Sequence, residues 1–89
     1  MKTLFLISSA PDTTEFRTAY RTAREMHADV CLLQSAVYAS RGLDDKGLFV
    51  MSDDMHLRGI GNEETTATVI DYNRLVDMLT EADKVIGIF

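Results

Sequence analysis

The chain is predicted to fold as an α/β protein: a three-layer α/β/α sandwich around a mostly parallel five-stranded sheet. Two observations predict this. Five short apolar runs alternate with stretches of helical periodicity, an order that implies right-handed crossovers. Each run is also hydrophobic almost throughout, as in strands covered on both faces. With 89 residues, 46% of them hydrophobic, the chain suffices for one modest core, and no linker, repeat or low-complexity segment divides it. A single domain over residues 1–89 follows.

The first strand is "TLFLIS", residues 3–8. The start "MKTLFLISSAPD" superficially mimics a secretory leader, but its apolar segment from Leu4 to Ile7 is shorter than such a leader needs. In "DTTEFRTAYRTAREM", Phe16, Ala19, Tyr20, Ala23 and Met26 form an apolar stripe at helical spacing, with Asp12 and Glu15 placed as a capping box. "DVCLLQ", residues 29–34, is the second strand, and "SAVYAS" is at most two helical turns, opened by Ser35. "GLFVMS", residues 47–52, leads into a short helix in "SDDMHLRG", capped by Ser52 or Asp53 and stopped by Gly59. "ATVID", residues 67–71, is the fourth strand. Asp71 then caps a helix whose inner face holds Leu75, Val76, Met78 and Leu79, and "KVIGIF", residues 84–89, closes the sheet.

Charge excludes some functions. A net charge of −5 disfavours coating of nucleic acid, which needs clustered cations on phosphates. The first 43 residues carry five basic and four acidic side chains, whereas residues 44–89 carry four and ten, so the second half suits a basic partner or plain solubility. Arg17, Arg21 and Arg24 line one side of the first helix, opposite its apolar stripe, and read as a solvated face. No apolar run approaches the length of a membrane span, and a cytoplasmic location is expected.

In open parallel sheets ligands gather at the carboxyl ends of the strands. Ser8, Ser9, Gln34, Ser35, Ser52, Asp53, Asp54 and Asp71 are all predicted there, where helix capping is their commoner use. A phosphoacceptor domain would carry an acidic pair after the first strand; this chain has Ser8 and Ser9. The acidic doublets Asp44/Asp45, Asp53/Asp54 and Glu63/Glu64 match no calcium loop, and His27 and His56 lack zinc-site spacing, so no metal and no cofactor is expected. Of the two histidines, His56 lies nearer the polar edge and is the better candidate for a contact. The one cysteine, Cys31, sits mid-strand between Val30 and Leu32, where burial would raise its pKa. It reads as core packing rather than as a nucleophile.

Several stretches together resemble the DsrH/TusB branch of the DsrE/DsrF/DsrH-like sulfur-relay proteins: "SSAP" before the first helix, "LLQSAVYAS", "FVMSDDMHLRGI" and "VIDYNRLVDMLTEADKVIGIF". The similarity spans essentially the whole chain. Gln34 matches the branch's glutamine at the end of strand two; Asp54, Arg58 and Gly59 match a D-x-x-x-R-G pattern; Asp71, Tyr72 and Val76 match a DY…V pattern. Ser35 and Ala36 depart from the acidic or amide residue and glycine usual there.

The resemblance implies a cytoplasmic, non-catalytic subunit of a persulfide relay, ending in thiolation of the wobble uridine of transfer RNA or in related intracellular sulfur transfer. It implies sister subunits of DsrE/TusD and DsrF/TusC type, contact with transfer RNA only indirectly, and no membrane. Interaction residues on this view are Gln34, Ser35, Asp54, His56, Arg58, Gly59, Asp71 and Tyr72. Two alternatives stand beside it. One is a sulfurtransferase using Cys31 as persulfide carrier; the other is a stand-alone homo-oligomer holding a small anion near Ser9, Ser35 and Ser52.

Overall fold

A computed structural model describes residues 1–43 and 46–89; the doublet Asp44/Asp45 lies outside the described residues. The order is β1 (Thr3–Ile7), α1 (Thr14–Glu25), β2 (Asp29–Leu32), a 3₁₀ segment (Gln34–Arg41), β3 (Leu48–Met51), α2 (Ser52–Leu57), a 3₁₀ turn (Asn62–Glu64), β4 (Thr68–Ile70), α3 (Tyr72–Glu81) and β5 (Lys84–Ile88). All four strand pairings are parallel, in the order β4-β3-β2-β1-β5.

Strand order and handedness together assign the helices to faces. From β1 to β4 the chain steps steadily in one direction, so right-handed crossovers put α1, the 3₁₀ segment and α2 on one face. It then crosses back over the whole sheet to β5, which puts α3 on the other. Two core clusters match these faces. Phe5, Ile7, Val30, Leu32 and Val50 pack with Phe16, Ala23, Val37 and Met55, while Leu4, Cys31, Met51 and Ile70 pack with Leu75 and Met78. Each fully buried aliphatic side chain contributes about 1.5–3 kcal/mol.

Several helix details differ from the sequence expectation. Thr13, not Asp12, caps α1: its Oγ accepts from the Phe16 N–H at 3.2 Å and donates to the Ala10 carbonyl at 2.7 Å. No capping box with Glu15 forms, because the chain enters the helix one residue later. Met26 lies past the helix end and is 45% exposed. The stretch "SAVYAS" belongs to a longer 3₁₀ segment with no side-chain cap from Ser35, and α2 begins at Ser52 without a side-chain cap. Asp71 does cap α3, accepting from the Arg74 N–H at 2.9 Å. Leu75 and Met78 face inward, but Val76 and Leu79 are 57% and 36% exposed: a single helix spanning five strands presents only a narrow stripe to the sheet.

Both α1 and α2 end in a left-handed residue that lets the next amide bond back into the helix. After α2 this residue is Gly59, at φ 74°, with the Ile60 N–H 3.1 Å from the Met55 carbonyl and both side chains buried. After α1 the position holds His27, at φ 55°, with the Ala28 N–H 2.9 Å from the Ala23 carbonyl. The expectation that every strand is covered on both faces fails at β5, an edge strand where Lys84, Val85 and Gly87 are exposed.

Candidate functional site

The carboxyl edge of the sheet brings together the end of β2 and the first turn of α2. At this edge β2 meets the 3₁₀ segment directly, and the turn is made at Gln34, whose φ of 47° lies in the left-handed region. For a residue with a Cβ this costs about 1–3 kcal/mol and persists only where neighbours fix it. Here the neighbour is Asp54. Since β3 lies beside β2, the helix that follows β3 starts next to Gln34, and the Asp54 carboxylate accepts the Gln34 main-chain N–H at 2.9 Å. Asp54 thus serves a neighbouring turn rather than the amino end of its own helix.

Arg58 closes the arrangement from the far end of α2. Its Nη1 donates to the main-chain oxygen of Asp54 at 3.2 Å, which satisfies a carbonyl the short helix leaves open. The Asp54–Arg58 ion pair that their spacing of four suggests is not what joins them; the carboxylate is turned to Gln34 instead. With its main chain fixed, the exposed Gln34 side chain projects at the sheet edge next to the half-buried Ser35.

Cys31 lies three residues before this turn but points to the α3 face. It is fully buried among Leu4, Met51, Ile70, Leu75 and Met78. Burial, with a smaller contribution from the nearby Asp54 carboxylate, pushes its thiol from 9.0 up to about 12. A thiolate nucleophile needs access and a positive neighbour; this position provides a dry pocket and a negative one.

The remaining sequence candidates scatter. His56 is exposed, with Nε2 2.9 Å from Asn62 Oδ1, so it ties α2 to the following 3₁₀ turn rather than facing Gln34. Asp71 and the exposed Tyr72 stand at the end of β4, two strands from β2 and therefore about 10 Å along the edge. Within the other doublets, Glu64 accepts from the Gly61 N–H at 2.6 Å and Asp54 from Gln34, so both serve local turns. Among the described residues no three His, Cys, Asp or Glu side chains converge as metal ligands, and no helix is long and apolar enough to cross a membrane.

The family model for DsrH-like proteins matches residues 8–85. This chain belongs to the DsrH-like family. A comparison with curated proteins gives no match. Among solved structures, the fold is similar to protein Tm0979 from Thermotoga maritima, with a TM-score of 0.72 and 21% identity over 88% of this chain and 91% of that one. It is also similar to the ychN protein from E. coli, with a TM-score of 0.77 and 19% identity over 98% and 99% of the two chains.

In this DsrH-like chain the motif residues divide by role. Gln34, Asp54 and Arg58 form one hydrogen-bonded unit, Gly59 ends the helix that carries two of them, and Asp71 caps α3. Tyr72 is exposed. Sequence reasoning found Gln34 and Asp54 separately but not their bond, since twenty residues separate them and no periodicity links a strand end to the next helix. It also missed the left-handed turn, for which glycine or asparagine is the usual signal.

Proposed function

We propose that the chain is a non-catalytic interaction subunit of a persulfide sulfur relay, working beside DsrE/TusD-type and DsrF/TusC-type sister chains in the cytoplasm. Membership of the DsrH-like family supports the pathway. The observation that carries the companion role is the burial of Cys31, the only cysteine in the chain, with its thiol pushed up to about 12. A chain without an accessible thiolate contributes shape and hydrogen bonds, and those are concentrated where Asp54 holds Gln34 at the sheet edge. On this reading the relay serves thiolation of the transfer RNA wobble uridine or a related intracellular transfer, and transfer RNA is reached only through the complex.

The test is intact-protein mass after exposure of the folded chain to a persulfide donor, alone and mixed with DsrE- and DsrF-type chains from the same genome. Sulfur is expected on a sister chain, with Gln34→Ala weakening the assembly while the variant stays folded. Gain of one sulfur on Cys31 in the folded protein would replace the companion role with that of a sulfurtransferase.

A further inference from the structure

We propose that the amino edge of the sheet carries a copper(I) site, with the thioethers of Met1 and Met26 and the imidazole of His27 as its ligands. This goes beyond the relay reading and does not rest on it.

The topology gathers these residues. β1 begins and α1 ends at the same edge of the sheet, and an open cavity of about 280 Å³ there is lined by Met1, Met26, His27 and Asp29, together with Lys2. Side chains alternate along a strand, so Met1 falls on the α1 side with Phe5 while Lys2 falls on the α3 side with Leu4. The lysine Nζ lies 3.9 Å from Glu81 of α3, which draws its charge away from the cavity. Hydrogen bonds hold the main chain at or beside each ligand. The Lys2 N–H, immediately after Met1, donates to Asp83 Oδ2 at 2.7 Å. The Met26 and His27 N–H groups donate to the Thr22 and Arg24 carbonyls at 3.0 and 3.1 Å.

Packing explains none of the three side chains. Met1, Met26 and His27 are all exposed, whereas Met51, Met55 and Met78 are buried in the core. His27 also occupies a left-handed position, at φ 55°, where glycine would close the helix at less cost. A histidine held against the preference of its own backbone, beside two solvated thioethers, points to a use for its ring.

The donor set selects the ion. Thioethers are soft ligands that favour copper(I), and neutral imidazole suits copper as well. Zinc needs a full tetrahedral set of thiolate, imidazole or carboxylate donors, and calcium or magnesium a shell of oxygens; one imidazole and one carboxylate meet neither demand. The Asp29 carboxylate and the open carbonyls at the end of α1 make the cavity favourable to a monovalent cation without having to bind it. No electron is transferred: the metal enters and stays as copper(I), exchanging its solvent for the three donors.

Anaerobic titration of the full chain with copper(I), in competition with a chromophoric copper(I) chelator, tests the proposal, with silver(I) as the diamagnetic probe for NMR. A single ion per chain is expected. Silver(I) should shift the methyl signals of Met1 and Met26 and the ring signals of His27, and leave those of Met51, Met55 and Met78 in place. Met26→Leu is expected to weaken copper(I) binding at least about tenfold, the lower end of what disturbing a metal site costs. His27→Asn, whose new side chain tolerates the left-handed turn, is expected to do the same. Cys31→Val should leave binding unchanged, because the buried thiol is out of reach. Failure to hold copper(I) against the chelator, binding indifferent to Met26→Leu or His27→Asn, or binding lost in Cys31→Val would each overturn the proposal. Zinc retained as tightly as copper(I), or silver(I) shifts at the buried methionines instead, would overturn it as well.

Discussion

Alkylation of Cys31 provides a quantitative check on the site. In the unfolded chain the thiol ionises at its ordinary value of 9.0; in the folded protein burial holds it at about 12. At any pH below 9 the folded thiol therefore carries roughly a thousandfold less thiolate. Complete burial adds a second factor, because reagent reaches the sulfur only when α3 lifts from the sheet. Alkylation by iodoacetamide at mildly alkaline pH should thus run at least ~10³-fold slower in the native protein than in denaturant. The same shift fixes a pH dependence. A folded-state value above the unfolded one stabilises the protein fully below about pH 9, and that contribution is lost as pH rises towards 12. Each pH unit in the window lowers the folding constant by up to about tenfold. Cys31→Val, which has no proton to lose, should escape this slope, so the two urea-melt stability curves diverge above pH 9. Native alkylation within tenfold of the unfolded rate, or parallel curves, would refute the reasoning.

Other expectations concern the turns. Gly59→Ala meets no atom within 4 Å of the new Cβ, so its cost is conformational, about 1 kcal/mol or a fall of about 4–8 °C in Tm, read by calorimetry. His27→Gly, at the equivalent position after α1, should stabilise the protein by up to about 1 kcal/mol in the same assay. Asp54→Ala removes the charged acceptor of the Gln34 N–H and should cost about 1–2 kcal/mol. Adding Gln34→Gly should recover part of that loss, because glycine needs no clamp to hold the turn; a double-mutant cycle in urea shows whether the two residues are coupled. Asp71→Ala should cost about 1 kcal/mol through loss of the α3 cap.

The strands and the layer order were legible because burial on both faces writes continuous apolar runs: "TLFLIS", "DVCLLQ" and "GLFVMS" each contain an observed strand, trimmed by one or two residues at the ends. Asp71 was legible as a cap because capping is local chemistry. Thr13 was missed because "DTT" offers three residues able to do the same work. Val76 and Leu79 were misassigned because periodicity marks an apolar sector without showing how wide a sector the sheet leaves room to bury. Least legible was the bond between Gln34 and Asp54, which exists only because β3 lies next to β2. Strand adjacency is a property of the folded topology, and no pattern within either segment encodes it.

The return of α3 across the sheet also has a meaning during synthesis. The cluster built on α1 can assemble from residues already made by the time β4 appears, but the floor formed by Leu4, Cys31, Met51 and Ile70 has no cover until α3 and β5 follow. β5 docks beside β1, where the Lys2 N–H reaches a carboxylate eighty-one positions later, at Asp83. Until residues 71–89 are made, a growing chain therefore carries one core layer that lacks only the Ile86 and Ile88 contribution of β5 and one greasy layer that is open. Protection of that layer on the ribosome, and the rate at which the last helix and strand close it, decide how much of the newly made protein escapes aggregation.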